Sequence, residues 1–338
     1  MNVLSAGSDV QRGKGLFSGL ALTMVLLSPL AHATSYNFTT LDDPNSTVNT
    51  AAYGINDNGV IVGHYYGQSY GGHDFSYSGG NFTTVSVPGD QYEGAGGDEG
   101  VGINNSGQIA GTYVDSSGYM HGFLDSAGTF TTIDAPGVIG NTQVGGINNN
   151  GQIVGSYYAN GSKHGFTDSN GTFATLDVPG AADTFAMGSN IHGQVAGWYF
   201  DASGTMHGFL DNNGAFTTLN APGASTANDF GTMVTGINDL GQIVGTVDLA
   251  SGGQEGFLYS NGVFTAITVP GAGYTLAYGI NNNGQIVGSY WDGTDTFTDQ
   301  GMHGFVATPV PELPMVLQLG VGLGLLGALF RRKVRKPF

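Results

Sequence analysis

The chain has 338 residues, no cysteine, 60 glycines and only 10% charged residues, so no disulfide supports its fold. Residues 34–310 carry 23 acids against the single Lys163, about 22 net negative charges, which excludes nucleic acid and anionic lipid surfaces as partners. Sixteen tyrosines and nineteen phenylalanines exclude a disordered, low-complexity coil.

Residues 1–33 read as a secretory signal peptide that is cleaved. Arg12 and Lys14 open it, Leu16 to Leu30 carries no charge, and Ala31-His32-Ala33 supplies an A-x-A cleavage site before Thr34. The uncharged run is shorter than the roughly 20 apolar residues that span a bilayer.

From Thr34 to Thr308 one unit repeats. Its central phrase is clearest as Gly279-Ile280-Asn281-Asn282-Asn283-Gly284-Gln285-Ile286-Val287-Gly288, with siblings starting at Gly54, Gly102, Gly146, Gly188 and Gly236. A period of 42 to 48 residues signals a repeat architecture. The Asn-Gly pair between β-prone runs predicts a type I′ hairpin. A His-Gly-Phe phrase follows, at His121, His164, His207 and His303, with His73-Asp74-Phe75 and Glu255-Gly256-Phe257 as variants. Next comes Phe-Thr-Thr ending in Pro-Gly, as at Phe130 to Gly137; Pro-Gly suits the centre of a type II turn.

Each unit therefore holds four short strands. Apolar residues fall on both faces of these strands, as in sheets stacked between neighbours, and four-stranded units of this length form propeller blades. The segment Phe38-Thr39-Thr40-Leu41 is a fourth strand with no preceding three, while the last unit, Gly279 to Phe305, lacks its fourth. The expected fold is all-β: a six-bladed β-propeller over residues 34–308, closed by the N-terminal strand joining the last blade.

Residues 309–338 differ in character. Pro309-Val310-Pro311-Glu312-Leu313-Pro314 precedes an apolar transmembrane helix over residues 315–330, and Arg331-Arg332-Lys333-Val334-Arg335-Lys336 ends it as a stop-transfer cluster. This end resembles the sorting signal of bacterial PEP-CTERM proteins: Val310, Pro311 and Glu312 match the motif, while Leu313 stands at the usual second proline. The body resembles the extracellular HAF repeat family, with His-Gly-Phe in place of His-Ala-Phe beside the matching G-I-N-x-x-G. The resemblance implies an exosortase as sorting partner in a Gram-negative, exopolysaccharide-making host. It also implies an inner-membrane intermediate and a final cell-surface or secreted location. It brings no established activity.

The residues themselves point to binding over catalysis. The His at one equivalent place per unit lies on different blades, too far apart for a shared metal ion, and reads as structural, bonded to a neighbouring backbone. No cysteine or G-x-S-x-G elbow offers a nucleophile, so no catalytic residue is assigned. Acids gather in two connections, Asp90, Glu93, Asp98 and Glu99 in one and Asp292, Asp295 and Asp299 in the other. They read as solubilising surface. Calcium takes six to eight oxygens and is the one ion they could help hold, though no EF-hand or RTX spacing is met. Trp198 and Trp291 end second strands near these loops and are candidate ligand-stacking rings. The expectation is a monomeric surface protein binding or structuring extracellular polysaccharide. The alternatives are an extracellular glycan-active enzyme using loop-face carboxylates, and a protein–protein scaffold. Mass spectrometry of the surface-exposed protein is expected to find Met315–Phe338 removed; an intact C-terminal Phe338 on the mature product would refute the sorting assignment.

Overall fold

The computed structural model describes residues 35–67, 72–91, 101–138, 140–293 and 301–310. The candidates Ala31, Ala33, Glu93, Asp98, Glu99, Asp295, Asp299, Pro311 and Glu312 lie outside these, as do the signal peptide and the helix over 315–330. Among the described residues no helix is long and apolar enough to cross a membrane. Those residues form six antiparallel sheets of four strands each, a six-bladed β-propeller.

The first strand of every unit lies innermost, the fourth outermost. The inner strands are Thr50–Ile55, Gly102–Ile103, Thr142–Ile147, Asp183–Ser189, Thr232–Ile237 and Tyr274–Ile280. Blades 1 to 5 take their outer strand from their own unit. Blade 6 takes Tyr36–Leu41, which pairs antiparallel with Met302–Pro309 from Tyr36↔Pro309 to Leu41↔Gly304. The N-terminal strand thus closes the ring, as the unpaired Phe-Thr-Thr segment predicts.

Two repeated residues explain each other in the blade interior. The Phe of each third strand is buried, from Phe75 at 0% exposure to Phe257 at 3%. It lies over the glycine of the second strand: a Cβ on Gly288 would stand 2.8 Å from Phe305 Cε1 and collide with the Leu276 carbonyl. Glycine is required there by close approach. Burying one such Phe stabilises by about 1.5–3 kcal/mol, and the interfaces between blades repeat the contact around the ring.

The Pro-Gly turns are type II as expected: Gly137 has φ of 79° and Val138 N–H donates to the Ala135 carbonyl. The Gly-Ile-Asn hairpins differ from the type I′ expectation. Only the glycine has positive φ, 74° at Gly284, and its N–H donates to Asn281 O at 3.1 Å. The loop is a type I turn followed by one left-handed glycine, because the first Asn holds the turn from its side chain. Asn281 Oδ1 accepts the N–H groups of Asn283 and Gln285. The residue before glycine keeps negative φ, which is why Ser106, His192 and Leu240 are tolerated there. Pairs with positive φ at both residues lie instead between third and fourth strands, at Gly79-Gly80, Ala127-Gly128, Asn170-Gly171, Asn213-Gly214 and Asn261-Gly262, and between second and third at Asn160-Gly161.

The same Asn links the blades. Each donates from Nδ2 to the carbonyl of its counterpart in the next blade: Asn56 to Asn104, then Asn148, Asn190, Asn238, Asn281 and back to Asn56, at 2.9 to 3.3 Å. All six are buried. Deleting Tyr36–Leu41 is expected to expose the edge of blade 6, lower Tm by more than about 5 °C and promote aggregation; a melt superimposable on the parent's would contradict closure by this strand.

Candidate functional site

A β-bulge interrupts the inner strands just before the Gly-Ile pair, with register shifts at Ala52/Gly54, Val144/Gly146, Ala186/Gly188, Val234/Gly236 and Ala277/Gly279. A bulge re-aims the extra side chain. Here the extra residues are Tyr53, Gly145, Met187, Thr235 and Tyr278, and all line one cavity on the propeller axis. Val101 holds the matching place in blade 2 and lines it too. The flanking glycines let the inner strands crowd together: a Cβ on Gly102 would lie 3.0 Å from Gly146 Cα.

This axial chamber has a volume of about 140 Å³. The Tyr53 and Tyr278 rings meet at 4.8 Å and 39°. Met233 and Trp198 complete the wall, and Thr235 Oγ1 donates to Ala277 O at 2.8 Å. No Asp, Glu, Lys, Arg or His is among the lining residues. Ile55, Ile103, Ile147, Ile237 and Ile280, with Ser189 replacing the sixth isoleucine, border both the chamber and a second hollow of about 60 Å³.

That second hollow lies at the hairpin turns and is ringed by Asp57, Asn105, Asn149, Asp239 and Asn282. It holds two carboxylates, the arrangement glycoside hydrolysis needs. Both are already occupied by the protein's own donors. Asp57 accepts from Asn282 N, Asn282 Nδ2 and Asn105 Nδ2. Asp239 accepts from Ile191 N, Asn149 Nδ2 and the same Asn282 Nδ2. Burial raises the Asp57 pKa, and the hydrogen bonds from Asn105 and Asn282 outweigh it, holding the carboxyl below its ordinary range. The hollow braces the ring.

The recurring histidines bond to side chains of the outer blade, where the sequence had suggested backbone. Nδ1 of His121, His164 and His303 meets Asp134, Asp177 and Asp42 at 2.8 to 2.9 Å, and His207 meets Asn220 at 2.8 Å. Each stacks on a second-strand tyrosine, as His121 does on Tyr113 at 5.4 Å. That tyrosine's hydroxyl reaches a Thr of the outer strand, Tyr113 to Thr132 at 3.1 Å and Tyr290 to Thr40 at 2.9 Å. The cluster staples strands two, three and four together. Among the described residues no group of three or more acids and histidines is placed to hold a metal ion.

Of the candidate loop acids, Asp90 and Asp292 lie among the described residues. Asp90 Oδ1 accepts Val114 N–H at 3.3 Å, tying a blade connection to the adjacent strand end. Asp292 Oδ2 lies 3.5 Å from His303 Nε2. Val310 N–H donates to Ser35 O at 2.8 Å, beside the closing strand pair. Trp291 stacks on Tyr274 at 5.6 Å and covers Gly273. Trp198 is placed elsewhere, on the chamber wall, stacked on Phe185 at 3.7 Å and 11°. The variable position before Gly-Ile (Tyr, Val, Gly, Met, Thr, Tyr) is the signal that sequence reasoning passed over: inside a constant phrase, one residue is free to differ.

No family model matches the chain, and no curated protein matches it. Among solved structures it is similar to AofleA from Arthrobotrys oligospora, at 10% identity and TM-score 0.50, over 83% of this chain and 95% of that one. It is also similar to a gluconolactonase from Xanthomonas campestris, at 11% identity and TM-score 0.48, over 82% and 92%. A fucose-specific lectin from Aleuria aurantia matches at 13% identity and TM-score 0.44, over 65% and 77%. At such identities the likeness is one of fold. Trp198→Ala is expected to cost about 3 kcal/mol in chemical denaturation through its stack on Phe185, against a smaller loss for Trp291→Ala; equal, negligible losses would contradict the packing of Trp198.

Proposed function

We propose that the protein is exported and sorted by an exosortase to the surface of a Gram-negative bacterium, where it binds a neutral polysaccharide of the extracellular matrix without transforming it. The sorting half of this reading rests on the signal-like residues 1–33 and on Val310, Pro311 and Glu312 before an apolar run and basic end. The binding half rests on one observation: among glycines and isoleucines the axial chamber is lined by Tyr53, Tyr278, Trp198, Met187 and Met233, and no charged group lines it.

Aromatic faces take up the apolar faces of sugar rings, and a charge-free wall suits a neutral ligand. The charge of the body agrees, since residues 34–310 would repel an acidic polymer. Binding is favoured over glycan hydrolysis because Asp90 and Asp292 sit on different blade connections, while Asp57 and Asp239 are held by the chain's own amides. Calcium has no part in this reading.

Calorimetric titration of the purified protein with the host's exopolysaccharide tests it. Binding is expected to survive chelator and to change little between low and high salt. Loss of binding on chelation would mean that divalent cations bridge an acidic polymer, and no binding with or without calcium would favour a protein partner instead.

A further inference from the structure

Neighbouring strands in each blade run antiparallel, so the turns from first to second and from third to fourth strand share one face of the propeller, the hairpin face. The remaining connections share the opposite, loop face. The acids divide unequally between the two. Asp57, Asp125, Asp168, Asp211 and Asp239 are on the hairpin face; Asp57 and Asp239 are held by amides, and Asp125 and Asp211 each accept a turn N–H at 2.7 Å. The other thirteen of the eighteen described acids lie within three residues of the loop-face connections. Exposed apolar side chains divide as well. Ile191, Leu240 and Val263, 41%, 69% and 46% exposed, stand on the hairpin face, and Tyr119, Tyr158 and Phe230 on the loop face. Ile191 N–H donates to Asp239 Oδ1, which sets Ile191 beside the hairpin that carries Leu240. One face is acidic and aromatic, the other aliphatic and sparsely charged.

The chain leaves the propeller from the hairpin face. Tyr36 pairs with Pro309, Val310 N–H donates to Ser35 O at 2.8 Å, and a Cβ on Gly284, in the last hairpin, would stand 3.2 Å from Pro309 Cγ. We propose that the hairpin face is turned to the bilayer while the chain is anchored through residues 315–330, which rests on the sorting reading above. Residues 311–314 separate Val310 from that apolar run, a reach of at most about 18 Å. Second strands of six to eight residues make the blades about 20 Å deep or more. The tether is too short for the body to turn over. Charge selects the same side. At physiological ionic strength fields fade over about 8 Å, so acids some 20 Å away on the loop face are screened from anionic headgroups. Inverted, they would meet those headgroups directly. The repulsion that excludes the free body from anionic lipid thus orients it once it is tethered. Ile191, Leu240 and Val263 then rest at the headgroups, and a matrix ligand meets the propeller from the loop face.

The chain has no cysteine, so one introduced cysteine carries one label. Leu240→Cys on the hairpin face and Tyr158→Cys on the loop face replace exposed side chains and are labelled with the same fluorophore. Each full-length variant is reconstituted in vesicles of phosphatidylethanolamine and phosphatidylglycerol that contain a headgroup-attached quencher. The protein should float with the vesicles, and quenching should be at least fivefold stronger at position 240 than at position 158. Ile191→Cys and Tyr119→Cys repeat the comparison should either label disturb the fold, as read from Tm. Equal quenching at the two positions, or stronger quenching at position 158, in vesicles that carry the protein would overturn the orientation while leaving membrane anchoring intact. Protein that stays behind on flotation would overturn anchoring through residues 315–330, and the orientation with it.

Discussion

Six asparagine side chains carry the closure of this propeller. The blades meet face to face through apolar contacts, and such packing is non-directional; it does not by itself fix how many blades complete a turn. The Asn56-to-Asn281 ring does. Each amide satisfies its own hairpin through Oδ1 and the next blade through Nδ2, so a missing neighbour leaves a buried donor and a buried carbonyl unmet. Each such loss costs about 1–3 kcal/mol. The last bond, Asn281 to Asn56, forms only when blade 6 stands beside blade 1, the same condition under which Tyr36–Leu41 can pair with Met302–Pro309. Two separate devices at opposite edges of the blades thus enforce one ring.

Within this frame the repeat divides its positions into two kinds. Glycine, isoleucine, asparagine, histidine and phenylalanine recur because each meets a demand present in every blade: close approach, the axial collar, the inter-blade bond, the outer staple, the interior. The residue before Gly-Ile meets none of these, since the bulge turns it toward the axis. Freed from structural duty, it is tyrosine, valine, glycine, methionine, threonine and tyrosine in turn. Function in a closed repeat protein is expected where the repeat stops constraining the residue.

Charge follows the same logic. The body is strongly acidic, yet many of its acids are committed to the protein's own groups: Asp134, Asp177 and Asp42 to histidines, Asp57 and Asp239 to axial amides, Asp90 to a strand end. Asp201 accepts from Ser203 and Thr205 and lies next to His207, hydrogen bonds that hold its carboxyl well below the usual range. Carboxylates used this way define loops and staples. They leave the chamber on the axis uncharged, inside a protein whose surface repels acidic polymers.

Much of the architecture was legible in the residues alone, because each cue acts within a few positions of itself. Pro-Gly specifies its turn, the Phe-Thr-Thr segments mark outer strands, and the stranded copy at Phe38 announces closure. The turn type of the central hairpin was not legible, since it depends on whether an asparagine side chain caps its own loop. Trp198 and Trp291 both end second strands, but Trp198 follows the strand glycine directly and pairs with Phe185, while Trp291 stands three residues after it and pairs with Tyr274, two residues out of step along the blade. A step of two in a strand keeps the face but moves the side chain about 6–7 Å along it, so one ring lines the axis and the other caps a connection. The chamber itself lay further from view. It is built by bulges, and a bulge belongs to the register between two strands rather than to the pattern of either. Local sterics and hydropathy determined the strands and their number; the convergence of one residue from each of six units on one axis was decided only when the ring closed.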